Sequence, residues 1–133
     1  MKEVLRDKLE NFSNALGKLE EAVKESGYPL CLDGTIKRFE FTFEMSWKAM
    51  KKILLYEGFD CASARACVKK AFQTGLITDE ETWLDILKDR NVYSHIYDEK
   101  EAENIYRKIK QIYCAEFKKL KDKFKEKLQE IEK

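Results

Sequence analysis

The chain has 133 residues, of which 44% are hydrophobic and 38% charged, so it is long enough to bury a core and is not composed like a disordered segment. Its 26 basic residues nearly balance its 25 acidic ones, so the net charge does not by itself indicate nucleic-acid binding. No apolar run approaches the roughly 18 residues of a membrane span, and the charged N-terminus does not resemble a signal peptide. We therefore expect one domain over residues 1–133, in the cytoplasm and without a membrane partner.

Four cysteines and one histidine limit the metal chemistry that is open to the chain. The cysteines show no CxxC spacing, and a single histidine does not complete a standard zinc set with them. The sequence therefore predicts free, mostly buried thiols in a reducing compartment, with no metal and no other cofactor. The four positions are Cys31, Cys61, Cys67 and Cys114.

Two long helices are predicted in the first half of the chain. The first covers about residues 3–26 and ends near Gly27 and Pro29, and the second begins at Asp33 as N-cap and ends before Gly58. Their apolar residues recur at helical spacing: Leu5, Leu9, Phe12, Leu16, Leu19 and Val23 in the first, and Ile36, Phe39, Phe43, Trp47, Met50, Ile53 and Leu54 in the second.

The second helix carries more apolar surface than one seam needs. Phe41 and Met45 lie off the seam, which is typical of a helix that is central or buried at an interface. Glu40, Glu44 and Lys48 lie between the two apolar sets at intervals of four residues, as in a solvated ladder of charges.

Three further helices complete the predicted bundle. Asp60 is predicted to cap a short helix over about residues 61–74, and Thr78 to cap a fourth helix that contains Trp83. Asp98 is predicted to cap a last helix of about 33 residues, or roughly 50 Å, whose end should fray or project. Short connections between long helices favour an all-α, antiparallel up-and-down bundle of four long helices plus a short one.

The stretch from Asp89 to Asp98 concentrates the chemistry of the chain. The inward seam of the fourth helix reaches Arg90, where a charge is costly unless it is paired. Carboxylates at 40, 85 and 89 are candidate partners. His95 follows five residues later, about 140° around a regular helix, so a broken helix end or a second subunit must bring the pair together.

An arginine and a histidine beside a helix N-terminus are sufficient for RNA cleavage without a metal. The helix N-terminus attracts anions, and a guanidinium binds phosphate through two parallel hydrogen bonds. His95 would take the proton of the 2′-OH or protonate the leaving oxygen, and Arg90 would stabilise the charge on phosphorus. The alternative for a lone histidine at a helix end is a cap or a surface residue.

Three segments carry a resemblance to a known family. Residues 90–98 resemble the R-N-x-x-x-H-x-Y signature of HEPN-domain proteins, specifically those encoded beside a minimal nucleotidyltransferase and first described as nucleotidyltransferase substrate-binding proteins. Residues 36–48 resemble the family's I-x-R-F-E-F-x-x-E-x-x-W/L-K helix, and residues 71–77, followed by Trp83, match in kind and order. The likeness covers about residues 5–115.

The resemblance implies a homodimer in which both copies of Arg90 and His95 meet in one cleft. It implies a metal-independent endoribonuclease toxin whose antitoxin partner is a minimal nucleotidyltransferase, which in some relatives transfers AMP to the tyrosine at Tyr97. For the nuclease hypothesis we further expect Asn91 and Ser94 to orient or hydrogen-bond the reacting groups, and Glu40 or Glu44 to hold Arg90 from the second helix.

Two other interpretations remain open. In the first, the chain is a non-catalytic subunit that presents a nucleotide or another substrate to a nucleotidyltransferase, with Arg90 holding phosphate. In the second, it is only a helical dimerisation protein.

Six lysines between Lys118 and Lys127 either contact RNA phosphates or form a solvated helix face, and the solvated face is the more common case.

Overall fold

The computed structural model describes the backbone of residues 1–24, 30–93 and 99–133, and the side chains of these residues except those of 30, 31, 92 and 93. All elements within these ranges are helical. They are α1 (Lys2–Lys24), α2 (Leu30–Tyr56), α3 (Ala64–Gln73), α4 (Glu80–Tyr93), α5 (Glu99–Lys108), a π-helical turn (Ile109–Tyr113) and α6 (Cys114–Glu132). None of the described helices has the length and apolar character of a membrane span.

The helices pack as an antiparallel bundle with α2 at its centre, in contact with α1, α3, α4 and α5. Arg38 Nη1 donates to the carbonyl oxygen of Lys18 at 2.8 Å, and the Thr42 hydroxyl lies 3.2 Å from the carbonyl oxygen of Ala15. Because a later residue of α2 meets an earlier residue of α1, the two helices run in opposite directions. The predicted fold class, four long helices plus the short α3, is confirmed.

An aromatic cluster joins four of the helices. The ring of Phe117 in α6 lies 6.1 Å from Phe12 in α1, 6.2 Å from Phe39 in α2 and 5.5 Å from Trp83 in α4, measured between centroids. All four side chains are fully buried. Aromatic rings stabilise such a core through both buried area and edge contacts, so this cluster fixes α4 relative to α2.

Three predicted N-caps are wrong. Ser63, not Asp60, caps α3, because its Oγ accepts from the backbone N of Ala66 at 3.1 Å. Asp79, not Thr78, caps α4, because its carboxylate accepts from both the backbone N and the hydroxyl of Thr82. α2 begins at Leu30, so Asp33 lies within its first turn, where a negative charge still favours the helix.

Glycine ends α2 and α3 as the sequence predicts. Gly58 has a backbone φ of +96° and Gly75 one of +83°, a region that residues with a side chain rarely adopt. Gly27, Pro29 and Asp98, to which we assigned other helix boundaries, lie outside the described residues.

Two of the four cysteines are not free thiols. Cys61 and Cys67 form a disulfide with their Cα atoms 5.3 Å apart, so the prediction of free thiols is wrong for this pair. The spacing rules that exclude a zinc site do not address pairing across the start of a helix, where Cys61 precedes α3 and Cys67 lies on its buried face. Burial, with the nearby Glu20, raises the pKa of the Cys114 thiol to about 11. The Cys31 side chain lies outside the described residues.

The end of the last helix packs along α1 instead of projecting. Leu120, Phe124 and Leu128 are buried, and an ion pair joins Arg6 Nε to Glu132 Oε1 at 2.6 Å. Helix length alone predicts a projection, but α1 is itself 23 residues long and covers this end.

Candidate functional site

Arg90 lies near the end of α4 and faces α2. One terminal nitrogen, Nη2, forms an ion pair with Glu44 Oε1, and the other, Nη1, donates to Asn91 Oδ1 at 3.4 Å. The guanidinium carbon lies 5.6 Å from the centroid of the Phe43 ring, in the geometry of a cation–π contact. The side chain is 31% exposed, so part of the guanidinium still faces solvent.

Glu44 is held in place from a second direction. Trp47 Nε1 donates to Glu44 Oε2 at 3.2 Å, so each carboxylate oxygen has its own partner. Of the acids considered for Arg90, Glu44 is the one that pairs with it, whereas Glu40 lies 3.6 Å from Lys37. Because the Glu44 side chain is only 26% exposed, solvent screens this pair less than an ordinary surface pair.

A shallow depression, here called the α2–α4 pocket, opens beside Arg90. Its volume is about 450 Å³, and it is lined by Lys37, Glu40, Phe41, Glu44, Arg90 and Asn91. The Phe41 side chain is 57% exposed, unusual for so large an apolar group. A guanidinium, an amide and an open aromatic ring thus lie in one place. These groups suit a phosphate and a stacked base.

Asp89 anchors the same turn of α4 from its buried side. It is 7% exposed, and its Oδ2 accepts from the hydroxyl of Tyr113 and from Lys108 Nζ, the latter at 3.2 Å. The Tyr113 ring stacks on Phe39 at 5.6 Å between centroids. Burial, followed by the hydrogen bond and the charge of Asp89, raises the pKa of Tyr113 far above its ordinary value. Tyr113 is therefore a neutral donor that orients Asp89, the neighbour of Arg90.

The π-helical turn places Tyr113 against Asp89, and we did not predict it from the sequence. The buried residues Ile105, Ile109, Tyr113 and Phe117 follow each other at three successive steps of four. At about 100° per residue, each such step turns a regular helix by about 40°, so three steps would carry Phe117 off the buried face. The wider π turn takes up this excess. Three consecutive steps of four were the signal that could have revealed it.

Part of the predicted site lies outside the described residues. Arg90 and Asn91 are described, but Ser94, His95 and Tyr97 are not. The arrangement of Arg90 relative to His95 and Tyr97 therefore stays a prediction.

The lysine-rich segment of α6 is mixed with acids. Three of its lysines form ion pairs through Nζ: Lys118 with Asp122 Oδ1 at 3.1 Å, Lys119 with Glu116 Oε1 at 3.1 Å, and Lys127 with Glu57 Oε2 at 2.8 Å. Lys121 and Lys125 line a depression that also contains acidic residues of α1: Glu3, Asp7 and Glu10. This pattern favours a solvated face of mixed charge over a surface that follows RNA phosphates.

The raised pKa of Tyr113 predicts a dependence of stability on pH. In the unfolded chain this phenol ionises near its ordinary pKa of about 10, whereas in the fold it stays neutral, so the stability it contributes is present below about pH 10 and is lost above it. We expect the stability advantage of the parent over Tyr113→Phe to shrink by up to about 1.4 kcal/mol per pH unit above that point. Urea unfolding of both proteins between neutral and alkaline pH measures it. A constant difference would contradict the assignment.

Comparison with known proteins gives the family of the chain. Residues 7–126 match the family model described as nucleotidyltransferase substrate binding protein like. A protein of Haemophilus influenzae named probable ribonuclease HepT is 33% identical over 81 residues. That alignment covers 57% of this chain and 56% of the relative, so the chain matches little more than half the length of that protein.

Two solved structures have the same fold. One, a crystal structure of a protein from Thermus thermophilus, is 30% identical, with a TM-score of 0.74 over 88% of this chain and 98% of its own. The other, from Haemophilus influenzae and described as the fold of a substrate binding domain of a nucleotidyltransferase, is 23% identical, with a TM-score of 0.67 over 94% of this chain and 99% of its own. The match over residues 7–126 shows that the chain belongs to the nucleotidyltransferase substrate binding protein-like family.

Proposed function

We propose that the protein is a metal-independent endoribonuclease in which Arg90 binds the scissile phosphate and His95 transfers protons. The observation that carries the proposal is the placement of Arg90, which Glu44 holds at the edge of an open pocket, five residues before the single histidine of the chain. The similarity to a probable ribonuclease supports it.

The reaction needs one base and one acid. The base takes the proton of the 2′-OH, and the resulting oxygen attacks phosphorus. The bond to the 5′-oxygen breaks, the acid protonates that oxygen, and a 2′,3′-cyclic phosphate remains. His95 fills one of these roles, and His95 of a second copy fills the other in the homodimer that we propose. Arg90 stabilises the charge that builds on the phosphoryl oxygens.

The surrounding residues set the position of Arg90. Glu44 holds one edge of the guanidinium, while Asn91 contacts the other. Asp89, the residue before Arg90, is held against the bundle by Tyr113 and Lys108. A group positioned in this way loses little freedom when it binds phosphate, which is the usual advantage of a preorganised site. Ser94 is proposed to orient the reacting groups together with Asn91.

We also propose that a minimal nucleotidyltransferase is the partner and acts as antitoxin to this toxin. Family membership supports association with a nucleotidyltransferase. Transfer of AMP to Tyr97, two residues after His95, would place a phosphate and a base beside the proposed RNA site and block it. Such a transfer would silence the nuclease without unfolding it.

The cleavage proposal predicts that the parent cuts single-stranded RNA in the presence of a chelator, and that Arg90→Ala and His95→Ala each lower the rate by at least about 100-fold. Gel analysis of an end-labelled RNA measures this, and circular dichroism of each variant controls for folding. Lys110→Ala, at an exposed position of the π-helical turn, is the matched surface control. Equal cleavage by all four proteins would refute the mechanism.

The regulation proposal predicts that incubation with the partner nucleotidyltransferase and ATP adds the mass of AMP to the chain, and that the gain disappears in Tyr97→Phe. Intact-mass spectrometry measures it, with Tyr106→Phe as the control tyrosine. A gain of the same size in Tyr97→Phe would place the modification elsewhere.

The second candidate function is a non-catalytic subunit that presents a nucleotide to the nucleotidyltransferase. The description of the family as substrate binding favours it. Arg90 and the α2–α4 pocket would then hold the phosphate and base of a nucleotide. ATP binding by the parent without RNA cleavage, and normal growth on expression without the partner, would select this function over the first.

A further inference from the structure

A second depression, here called the α3–α4 groove, lies on the other side of Arg90. Its volume is about 410 Å³, and it runs between the start of α3 and the end of α4. Its lining consists of Ser63, Ala64, Arg65, Leu87, Lys88, Arg90 and Asn91. Because Arg90 and Asn91 line both this groove and the α2–α4 pocket, the two depressions meet at the same guanidinium.

The charges of the two depressions differ. Among the described residues, the α3–α4 groove is lined by three basic side chains, Arg65, Lys88 and Arg90, and by no acidic one, whereas Glu40 and Glu44 line the α2–α4 pocket. Arg65 and Lys88 are exposed, and neither forms an ion pair with another residue in the described part of the chain. Two positive charges that form no ion pair in the described part of the chain therefore lie beside the proposed phosphate-binding arginine.

The local backbone adds to this positive potential. α3 begins at Ala64, so the positive end of its dipole opens into the groove, and the Ser63 hydroxyl is already occupied as the cap. Leu87, which also lines the groove, is 6% exposed and contributes an apolar surface to it. Charges over such a surface attract anions more strongly than charges on a flat hydrated face.

Building on the ribonuclease function proposed above, we propose that the α3–α4 groove binds the RNA backbone next to the scissile phosphate. Arg65 and Lys88 each contact one neighbouring phosphate of a single strand, and the strand continues across Arg90 towards the α2–α4 pocket. There the exposed ring of Phe41 offers a stacking surface for a base. The phosphates therefore lie on the side of Arg90 where no described lining residue is acidic, and the base lies on the side of Glu40 and Glu44.

Binding is tested in the His95→Ala background, so that the RNA stays intact. The affinity for a labelled single-stranded RNA is measured between about 50 and 200 mM salt for three proteins. They are His95→Ala itself, the groove variant Arg65→Gln/Lys88→Gln in that background, and the control Lys2→Gln/Lys110→Gln, which loses the same charge. Loss of two phosphate contacts should reduce the slope of log affinity against log salt by about 1.4, and the control should keep the slope of the parent. An unchanged slope in the groove variant would overturn the proposal.

A parallel measurement with His95 intact separates this inference from the ribonuclease function. The groove variant should raise KM for RNA and leave kcat unchanged, because it loses binding and no group that reacts. If the parent does not cleave RNA but the groove variant still flattens the salt slope, the ribonuclease function fails and the RNA-binding groove stands. If the parent cleaves RNA and the groove variant matches it in slope and KM, the groove inference alone fails. The same result with weaker binding of the nucleotidyltransferase would reassign the groove to that protein.

Discussion

The ion pair between Arg90 and Glu44 is the interaction on which the candidate site depends. Arg90 interrupts the inward seam of α4, where a charge without a partner would oppose packing of that helix against α2. Glu44 neutralises this charge and is itself held by Trp47, so the guanidinium has a defined direction. About a third of the arginine side chain remains open to solvent, which leaves the pair able to meet a phosphate. The same contact thus allows α4 to pack and, in the function that we propose, orients Arg90 for a phosphate.

The buried core of the bundle keeps α2 and α4 in the positions that this contact requires. The rings of Phe117, Phe39 and Trp83 fix α4 and α2 around one buried centre, and the π-helical turn brings Tyr113 to Asp89 in the turn that carries Arg90. The π-helical turn, which departs from regular α-helical hydrogen bonding, thus contributes a residue to the packing of Asp89. With Arg90 placed in this way, the basic α3–α4 groove extends on one side of it and the α2–α4 pocket with Phe41 on the other.

Most of the fold could be predicted from helical periodicity, since the seams of α1 and α2 largely coincide with the buried residues. The N-caps were less predictable, because Asp60, Thr78 and Asp33 all have suitable side chains and only the backbone path decides between them and their neighbours. At the site, the sequence identified Arg90 and offered several carboxylates, but Glu44 could be chosen only once the rotation of α2 against α4 was known. The Cys61–Cys67 disulfide and the Asp89–Tyr113 contact were missed because both depend on local backbone geometry that periodicity does not encode.

The most direct measurement of the central claim compares kcat/KM for RNA cleavage in Glu44→Gln and Glu40→Gln. Both changes remove one carboxylate from the same helix and the same pocket, but only Glu44 holds Arg90. We predict a loss of roughly 10- to 100-fold for Glu44→Gln and a change within about twofold for Glu40→Gln, with both proteins folded. Equal losses in the two variants, or full activity in Glu44→Gln alongside inactive Arg90→Ala, would contradict this role of Glu44.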